Sequence, residues 1–295
     1  MNPILSFAFI GGDLRQIPVI EQFLASGHEV MVFGLEQASL PASSLLKICS
    51  SLSDVINDAK VVVLPLPYRS DENHIHTPLS EAQIPIQELF SLMKPAQLLF
   101  AGRTDGYLKA LSELYGVRFW DYSTREEMAI LNAIPTVEGA LAIAMAETPH
   151  TIHQSRCLVL GYGRIGKLLA HTLKALGANV CAAARKPKDL AWMVADSIFP
   201  IPFKGLGDAV GDFDIIFNTV PDMVLPASLL AKVPDRCLVI DLASKPGGVD
   251  FEAARRMGKK VIWALSLPGK VAPETAGIII KDTIVNILEE LGVSP

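Results

Sequence analysis

The stretch Cys157-Leu158-Val159-Leu160-Gly161-Tyr162-Gly163-Arg164-Ile165-Gly166 decides the fold. Its first four residues are apolar, as in a strand buried on both faces. The three glycines then fall at the spacing of a dinucleotide-binding turn. Gly161 permits the tight turn, Gly163 lets backbone approach a diphosphate, and Gly166 allows close helix–strand packing. Free N–H groups and the positive end of the helix dipole hold phosphate oxygens there. GxGxxG alone is a weak signal. Here a helix is expected to run to about Leu176, Gly177 stops it, and a second strand, Asn179-Val-Cys-Ala-Ala-Ala-Arg-Lys186, follows on schedule. The complete strand–helix–strand context makes a nicotinamide dinucleotide the expected ligand.

Working outward, strands are expected in DIIFNTV (214–220), LVIDLAS (238–244) and VIWAL (261–265). Ligands of open α/β sheets bind beyond the carboxyl ends of strands. That rule nominates Asn218-Thr219-Val220-Pro221, Leu242-Ala243-Ser244 and Pro268-Gly269 as the rest of the cofactor rim, beside Tyr162, Arg164 and Ile165 of the turn itself. The choice of dinucleotide rests on the end of the second strand. NAD enzymes usually carry an acid there for the ribose hydroxyls. This chain has Ala184-Arg185-Lys186, with no acid until Asp189. A guanidinium grips a 2′-phosphate through two hydrogen bonds, so NADP is the expected cofactor.

Upstream, LSFAFI (5–10), EVMVF (29–33), VVVLPLP (61–67), QLLFAG (97–102) and GVRFW (116–120) read as five parallel strands separated by helices. The predicted fold is therefore α/β, with two Rossmann-like, doubly wound parallel-sheet domains and a cleft between them. The first domain is expected over 1–130 and the NADP-binding domain over 131–272. A last helix, from Pro273 to about Leu291, is expected to return to the first domain. A short helix should end near Asn132 and a new one open at Pro135-Thr136, because proline breaks a helix interior but suits its first turn. Gly11-Gly12-Asp13 looks like a degenerate nucleotide turn. Asp13 stands where a phosphate would go and is expected to cap the helix after it.

The composition fits this class. The 295 residues are 50% hydrophobic and 19% charged, with net charge −5. No basic run suggests nucleic acid. Although mean hydropathy is +0.36, no uninterrupted apolar stretch reaches the ~18 residues of a membrane span. The N-terminus reads as a strand, not a leader. Cys49, Cys157, Cys181 and Cys237 lack metal spacing and read as structural thiols in a reducing compartment. Asp71, His74 and His76 offer no predictable third strong ligand, so no metal is assigned. His150, His153 and His171 read as structural.

The strings GGDLRQ (11–16), NAIPTVEGA (132–140), GYGRIG, AARK (183–186), DLASKPGGVDF (241–251) and LPGKVAPETAG (267–277) together resemble the A subunits of dipicolinate synthase. The resemblance runs over essentially the whole chain. More distantly, the architecture is similar to D-2-hydroxyacid and alanine dehydrogenases. The resemblance implies oxidation of a dihydrodipicolinate, from the lysine pathway, to pyridine-2,6-dicarboxylate for bacterial endospores, with NADP⁺ as hydride acceptor. It also implies a second, flavoprotein-like B subunit, and it puts the chain in the cytoplasm of a sporulating cell. A homo-oligomer is expected.

Such a substrate needs partners for two carboxylates. Arg15, Arg125 and Lys245 are the candidates, each either a substrate contact or an ordinary ion pair. For proton transfer Glu138 is the first candidate, with Asn132 and Thr136 positioning substrate or water. Burial would raise its pKa to a useful range; the alternative role is helix capping. Asp241 is either a second proton acceptor or a brace for its loop. Two other readings remain: a 2-hydroxyacid or amino-acid dehydrogenase, and a nucleotide-binding subunit without catalysis of its own. The 2-hydroxyacid enzymes carry a catalytic histidine, and none follows Leu265 here.

Overall fold

The computed structural model describes residues 4–294. Its internal contacts divide the chain into two units. One comprises the residues up to Asn132 together with those from Ala272 onward, and the other is Ala133–Val271.

In chain order the first unit begins with β1 (Ser6–Ile10), α1 (Gln16–Ala25), β2 (Glu29–Phe33), β3 (Leu46–Ile48), α2 (Leu52–Asn57) and β4 (Val61–Val63). It continues with α3 (Ile86–Leu92), β5 (Leu98–Ala101), α4 (Gly106–Tyr115), β6 (Arg118–Asp121) and α5 (Glu126–Leu131). The second unit holds α6 (Ala133–Glu147), β7 (Arg156–Leu160), α7 (Arg164–Ala175), β8 (Asn179–Ala184), α8 (Pro187–Ala195) and β9 (Phe199–Pro202). Then come α9 (Leu206–Ala209), β10 (Ile215–Asn218), α10 (Ala227–Leu230), β11 (Leu238–Asp241), α11 (Phe251–Arg256), β12 (Val261–Trp263) and α12 (Leu267–Val271). The closing helix, α13 (Pro273–Glu290), belongs to the first unit.

Among the described residues each unit carries one six-stranded parallel sheet, ordered β3-β2-β1-β4-β5-β6 and β12-β11-β10-β7-β8-β9. Both are doubly wound, and the strand order reverses between β1 and β4 and between β7 and β10. The sequence pattern predicts five strands per unit; β3 and β9 are the additions. Both are edge strands with little sequence signal. Two of the three β3 residues, Leu46-Lys47-Ile48, are exposed, and β9 is Phe-Pro-Ile-Pro, where proline is tolerated because an edge strand leaves N–H groups unpaired.

The first sheet packs Phe7 on Phe23 of α1, ring centroids 4.0 Å apart. Ile280, Ile284, Ile287 and Leu288 of α13 join that core. Gly277 makes the α1–α13 approach possible, because a Cβ there would overlap the Arg15 carbonyl oxygen and Pro18 Cγ. In the second unit, Val137, Ala140 and Ala144 of α6 pack with Leu169 and Leu173 of α7 onto one face of the sheet.

Four local expectations need correction. α6 opens at Ala133, not at Pro135, so the proline sits within the first turn, where its missing N–H costs nothing. An 18-residue window within Glu126–Glu147 has mean hydropathy 1.6, long and apolar enough to cross a membrane; half of that window is buried inside the protein, as in a core helix. α1 begins at Gln16, and Asp13 does not cap it: its carboxylate accepts from the Arg15 N–H at 3.1 Å, before the helix has begun. Finally, β12 ends at Trp263, and Leu267–Val271 form a helix, not a loop.

Gly277→Ala should destabilise the first unit by about 1–3 kcal/mol, the usual cost of overpacking against backbone. Calorimetry should show a lowered unfolding midpoint, and an unchanged one would mean that α13 is not held against α1 in this way.

Candidate functional site

β7 delivers the chain to Gly161, whose φ of 96° is a left-handed conformation that glycine alone adopts without strain. A Cβ there would also overlap Thr219 Oγ1. That approach is fixed from the other side, because Thr219 donates to the Leu160 carbonyl through both its N–H and Oγ1, each at 2.9 Å. At Gly166 a Cβ would overlap the Gly161 carbonyl oxygen. Gly163 differs: it caps α7 at its N-terminus without a side chain, and a Cβ there would meet nothing within 4 Å. Two glycines are therefore required by packing, and the third leaves the helix start open, as the close approach of a diphosphate would need. With the uncapped first turn of a twelve-residue helix behind it, this turn fits a dinucleotide.

Tyr162 is buried, and its hydroxyl donates to Asp196 Oδ2 at 2.7 Å, so it anchors the turn and faces a ligand only through backbone. Arg164 is exposed and Ile165 half-buried on the first turn of α7. At the end of β8, Ala184 is buried while Arg185 and Lys186 are exposed. The Arg185 guanidinium lies 6.0 Å above the Phe203 ring, and its Nη1 is 3.2 Å from Asp222 Oδ2. The sequence pattern does not single out Asp222. It follows Asn218-Thr219-Val220-Pro221, and folding brings it from the end of β10 to the end of β8.

The remaining rim is built around Asp241. This carboxylate is fully buried and accepts from Asn218 Nδ2 at 2.8 Å, the Ala243 N–H at 3.0 Å and the Gly248 N–H at 2.8 Å. Asn218 in turn accepts from the Val220 N–H at 3.0 Å and donates to the Val220 carbonyl at the same distance. The Ala243 carbonyl receives the Trp263 indole N–H at 3.0 Å. Of the two readings left open for Asp241, the geometry favours the brace. Leu242 and Ala243 are buried, and Ser244 and Lys245 are exposed beyond them. Pro268 and Gly269 lie in α12, which packs on α6.

Other candidates lie elsewhere. Glu138 is exposed on α6, whereas the neighbouring Thr136 is buried and Asn132 half-buried at the helix start. The burial expected of Glu138 is thus not provided within its unit. In the first unit Arg15 is buried, pairs with Asp13 at 2.7 Å and donates to the Leu66 carbonyl. Arg125 holds Glu127 at 2.7 Å and Glu290 of α13 at 2.8 Å. Both arginines are therefore engaged in ion pairs, one securing the turn after β1 and the other securing α13. Lys245 has no partner among the described residues.

Arg103 also lacks a side-chain partner among the described residues, and no sequence motif marks it. It follows β5 with a left-handed φ of 61°, and its N–H is held by Ser123 Oγ at 2.8 Å and Asp121 Oδ1 at 3.2 Å. A non-glycine residue held so at a strand's carboxyl end is a recurring mark of a functional position. His74 Nδ1 lies 3.1 Å from both oxygens of Asp71, and the His76 carbonyl receives the Gly12 N–H at 2.8 Å. Among the described residues no three His, Cys, Asp or Glu side chains are placed to hold a metal. Burial pushes the Cys157 and Cys237 thiols up to about 12, which leaves them protonated and inert at neutral pH.

Comparison with known proteins bears on both units. The family model for the N-terminal domain of the dipicolinate synthase A subunit matches residues 6–123, and the NAD-binding domain of D-isomer specific 2-hydroxyacid dehydrogenases matches residues 137–244. The dipicolinate synthase A subunit of Bacillus subtilis (strain 168) is 33% identical over 288 residues, covering 97% of each chain. The crystal structure of its counterpart from Bacillus halodurans is similar with a TM-score of 0.90 at 31% identity, covering 96% of this chain and 97% of that one. The crystal structure of the Bacillus subtilis protein matches at TM-score 0.90 and 32% identity, covering 99% and 98%.

The glycine assignments separate stability from binding. Gly166→Ala should lower the unfolding midpoint, because its Cβ collides with backbone. Gly163→Ala should leave the midpoint in place but weaken dinucleotide binding roughly ten-fold, the effect of about one charge-assisted hydrogen bond. Thermal melts paired with fluorescence titration check both, and the reverse pattern would contradict the assignment.

Proposed function

The chain belongs to the family of dipicolinate synthase A subunits, and from that premise we propose that it oxidises a dihydrodipicolinate to pyridine-2,6-dicarboxylate with NADP⁺. That it is an oxidoreductase follows from the family and from the dehydrogenase-type nucleotide domain. The observation that carries the reading is a whole-length likeness to that family joined to a β7–α7 turn packed tightly at Gly161 and Gly166 and open at Gly163.

Hydride acceptance is what the dinucleotide supplies when bound. The ring loses a hydride from carbon and a proton, and aromaticity drives the step. The protein's work is then mainly orientation, which is worth several kcal/mol of barrier. In this reading the first turn of α7 and the Gly163 backbone hold the diphosphate, with Thr219, Val220 and Pro221 packed alongside. Arg185 and Lys186 take the 2′-phosphate. Lys245, exposed and without a partner among the described residues, serves a substrate carboxylate in preference to Arg15 and Arg125, which are already paired. Glu138, exposed on α6, accepts the proton. A second, B subunit is the working partner, and the chain forms a homo-oligomer.

A 2-hydroxyacid dehydrogenase is the second reading, favoured by the match over residues 137–244. α12 presents Leu267-Pro268-Gly269 after β12, where that chemistry would need a histidine. Turnover of 2-oxoacids with NADPH by the purified chain would put this reading first.

Two outcomes test the proposal. Arg185→Glu should weaken NADP binding more than ten-fold, by about the 1.5–3 kcal/mol of a charged hydrogen bond, and NAD binding far less. Equal losses would place the 2′-phosphate elsewhere. Lys245→Ala should raise the apparent KM for the dihydrodipicolinate roughly ten-fold with NADP affinity intact. Absorbance of NADPH and of the pyridine product reads both. No product from the chain, alone or with its B subunit, would overturn the reaction.

A further inference from the structure

The end of β8 presents two opposed charges rather than the purely basic corner read from Ala184-Arg185-Lys186. Arg185 Nη1 and Asp222 Oδ2 are 3.2 Å apart, and each side chain is 62% exposed. The Arg185 guanidinium also lies 6.0 Å from the centroid of the Phe203 ring. Among the described residues the Asp222 carboxylate has no other hydrogen bond or ion pair, and no backbone element depends on it. An exposed pair of this kind is a weak lock, so it is not there for stability.

From this geometry we infer that Asp222 is the residue that sets dinucleotide choice. Its carboxylate competes with a 2′-phosphate for Arg185 and lowers the affinity for phosphorylated dinucleotides. A phosphate arriving at Arg185 brings negative charge to the guanidinium that Asp222 already holds. Either Asp222 is displaced or two anions share one cation, and both outcomes disfavour NADP relative to a chain with a neutral residue at 222. A ribose carrying only hydroxyls meets no such opposition, since a carboxylate accepts from hydroxyl groups. Arg185 and Asp222 thus act in opposite senses on the same ligand atom, and the balance between them fixes the selectivity ratio. The inference rests on the proposal that the β7–α7 turn binds a nicotinamide dinucleotide, but not on which one the chain prefers.

The test uses the full chain and four probes: NADP⁺, NAD⁺, adenosine 2′,5′-bisphosphate and 5′-AMP. Dissociation constants come from calorimetric titration, with thermal unfolding as a check on the fold. Asp222→Asn should tighten NADP⁺ and the bisphosphate about three- to ten-fold, while NAD⁺ and AMP stay within about two-fold. The gain should shrink as salt rises, since the charges are exposed. It should vanish in the double variant Asp222→Asn with Arg185→Gln. An unchanged ratio of phosphorylated to unphosphorylated ligand, or equal weakening of all four, overturns the role of Asp222 and leaves the dinucleotide reading standing. Failure of every probe to saturate either protein removes both.

Discussion

The rim of the second sheet depends on one sealed carboxylate. Asp241 is buried at the end of β11 and meets three donors: an asparagine amide from β10 and two backbone N–H groups of its own loop. Hydrogen bonds to a charged group contribute about 1.5–3 kcal/mol each, and a buried donor left unpaired costs a comparable amount. The residues 242–248 therefore have one low-energy path around Asp241. Asn218 transmits that constraint to β10, because the same side chain that donates to Asp241 also brackets the Val220 peptide on both sides. Val220 and Thr219 in turn pack against Gly161. The carboxyl ends of β7, β10 and β11 are thus a single hydrogen-bonded assembly, and the dinucleotide turn inherits its rigidity.

The parts of this arrangement that are legible in the sequence are those whose cause is local. The glycine roles at 161, 163 and 166 follow from a strand, a turn and a helix in immediate succession, and the structure sets Gly161 and Gly166 against close neighbours while leaving open space at Gly163. The α1–α13 association is likewise foreshadowed by an amphipathic helix left over at the chain end. The edge strands are not legible, because a three-residue strand with two exposed side chains, or one with two prolines, carries neither alternation nor β-branched bias. α12 is hidden in Leu-Pro-Gly, which reads as a turn when its packing on α6 is unknown. The pairing of Arg15 with Asp13 spans only two residues, yet its burial depends on the Leu66 carbonyl arriving from the loop after β4.

Comparing the two units shows why the same topology serves different chemistry. Both sheets reverse order beside their first strand, and both follow that strand with glycines. In the first unit the Gly11 and Gly12 N–H groups are bonded to the Phe33 and His76 carbonyls, and the Gln16 N–H to the Asp13 carbonyl. Asp13 then adds a negative charge where a phosphate would need positive potential. In the second unit the Gly161 N–H is bonded in the same way, to the Ala183 carbonyl at 2.9 Å, and α7 like α1 has no side-chain cap, but no acid stands in the turn. The difference lies in the charge of the turn, and fold topology does not determine it.

Strand order also explains why the acid near Arg185 escapes a motif-based reading. β8 and β10 are far apart in sequence but flank β7 on either side, so their ends lie two strand spacings apart, about 10 Å. A strand-end arginine spans most of that distance, and an aspartate in the loop beyond β10 covers the remainder. The local rule for dinucleotide choice inspects only the end of the second strand, where this chain is purely basic. The electrostatics at that corner are set by two loops together, one on each side of the glycine turn. Selectivity in such a sheet is therefore encoded in a pair of positions that only the parallel order 8-7-10 brings within reach of each other.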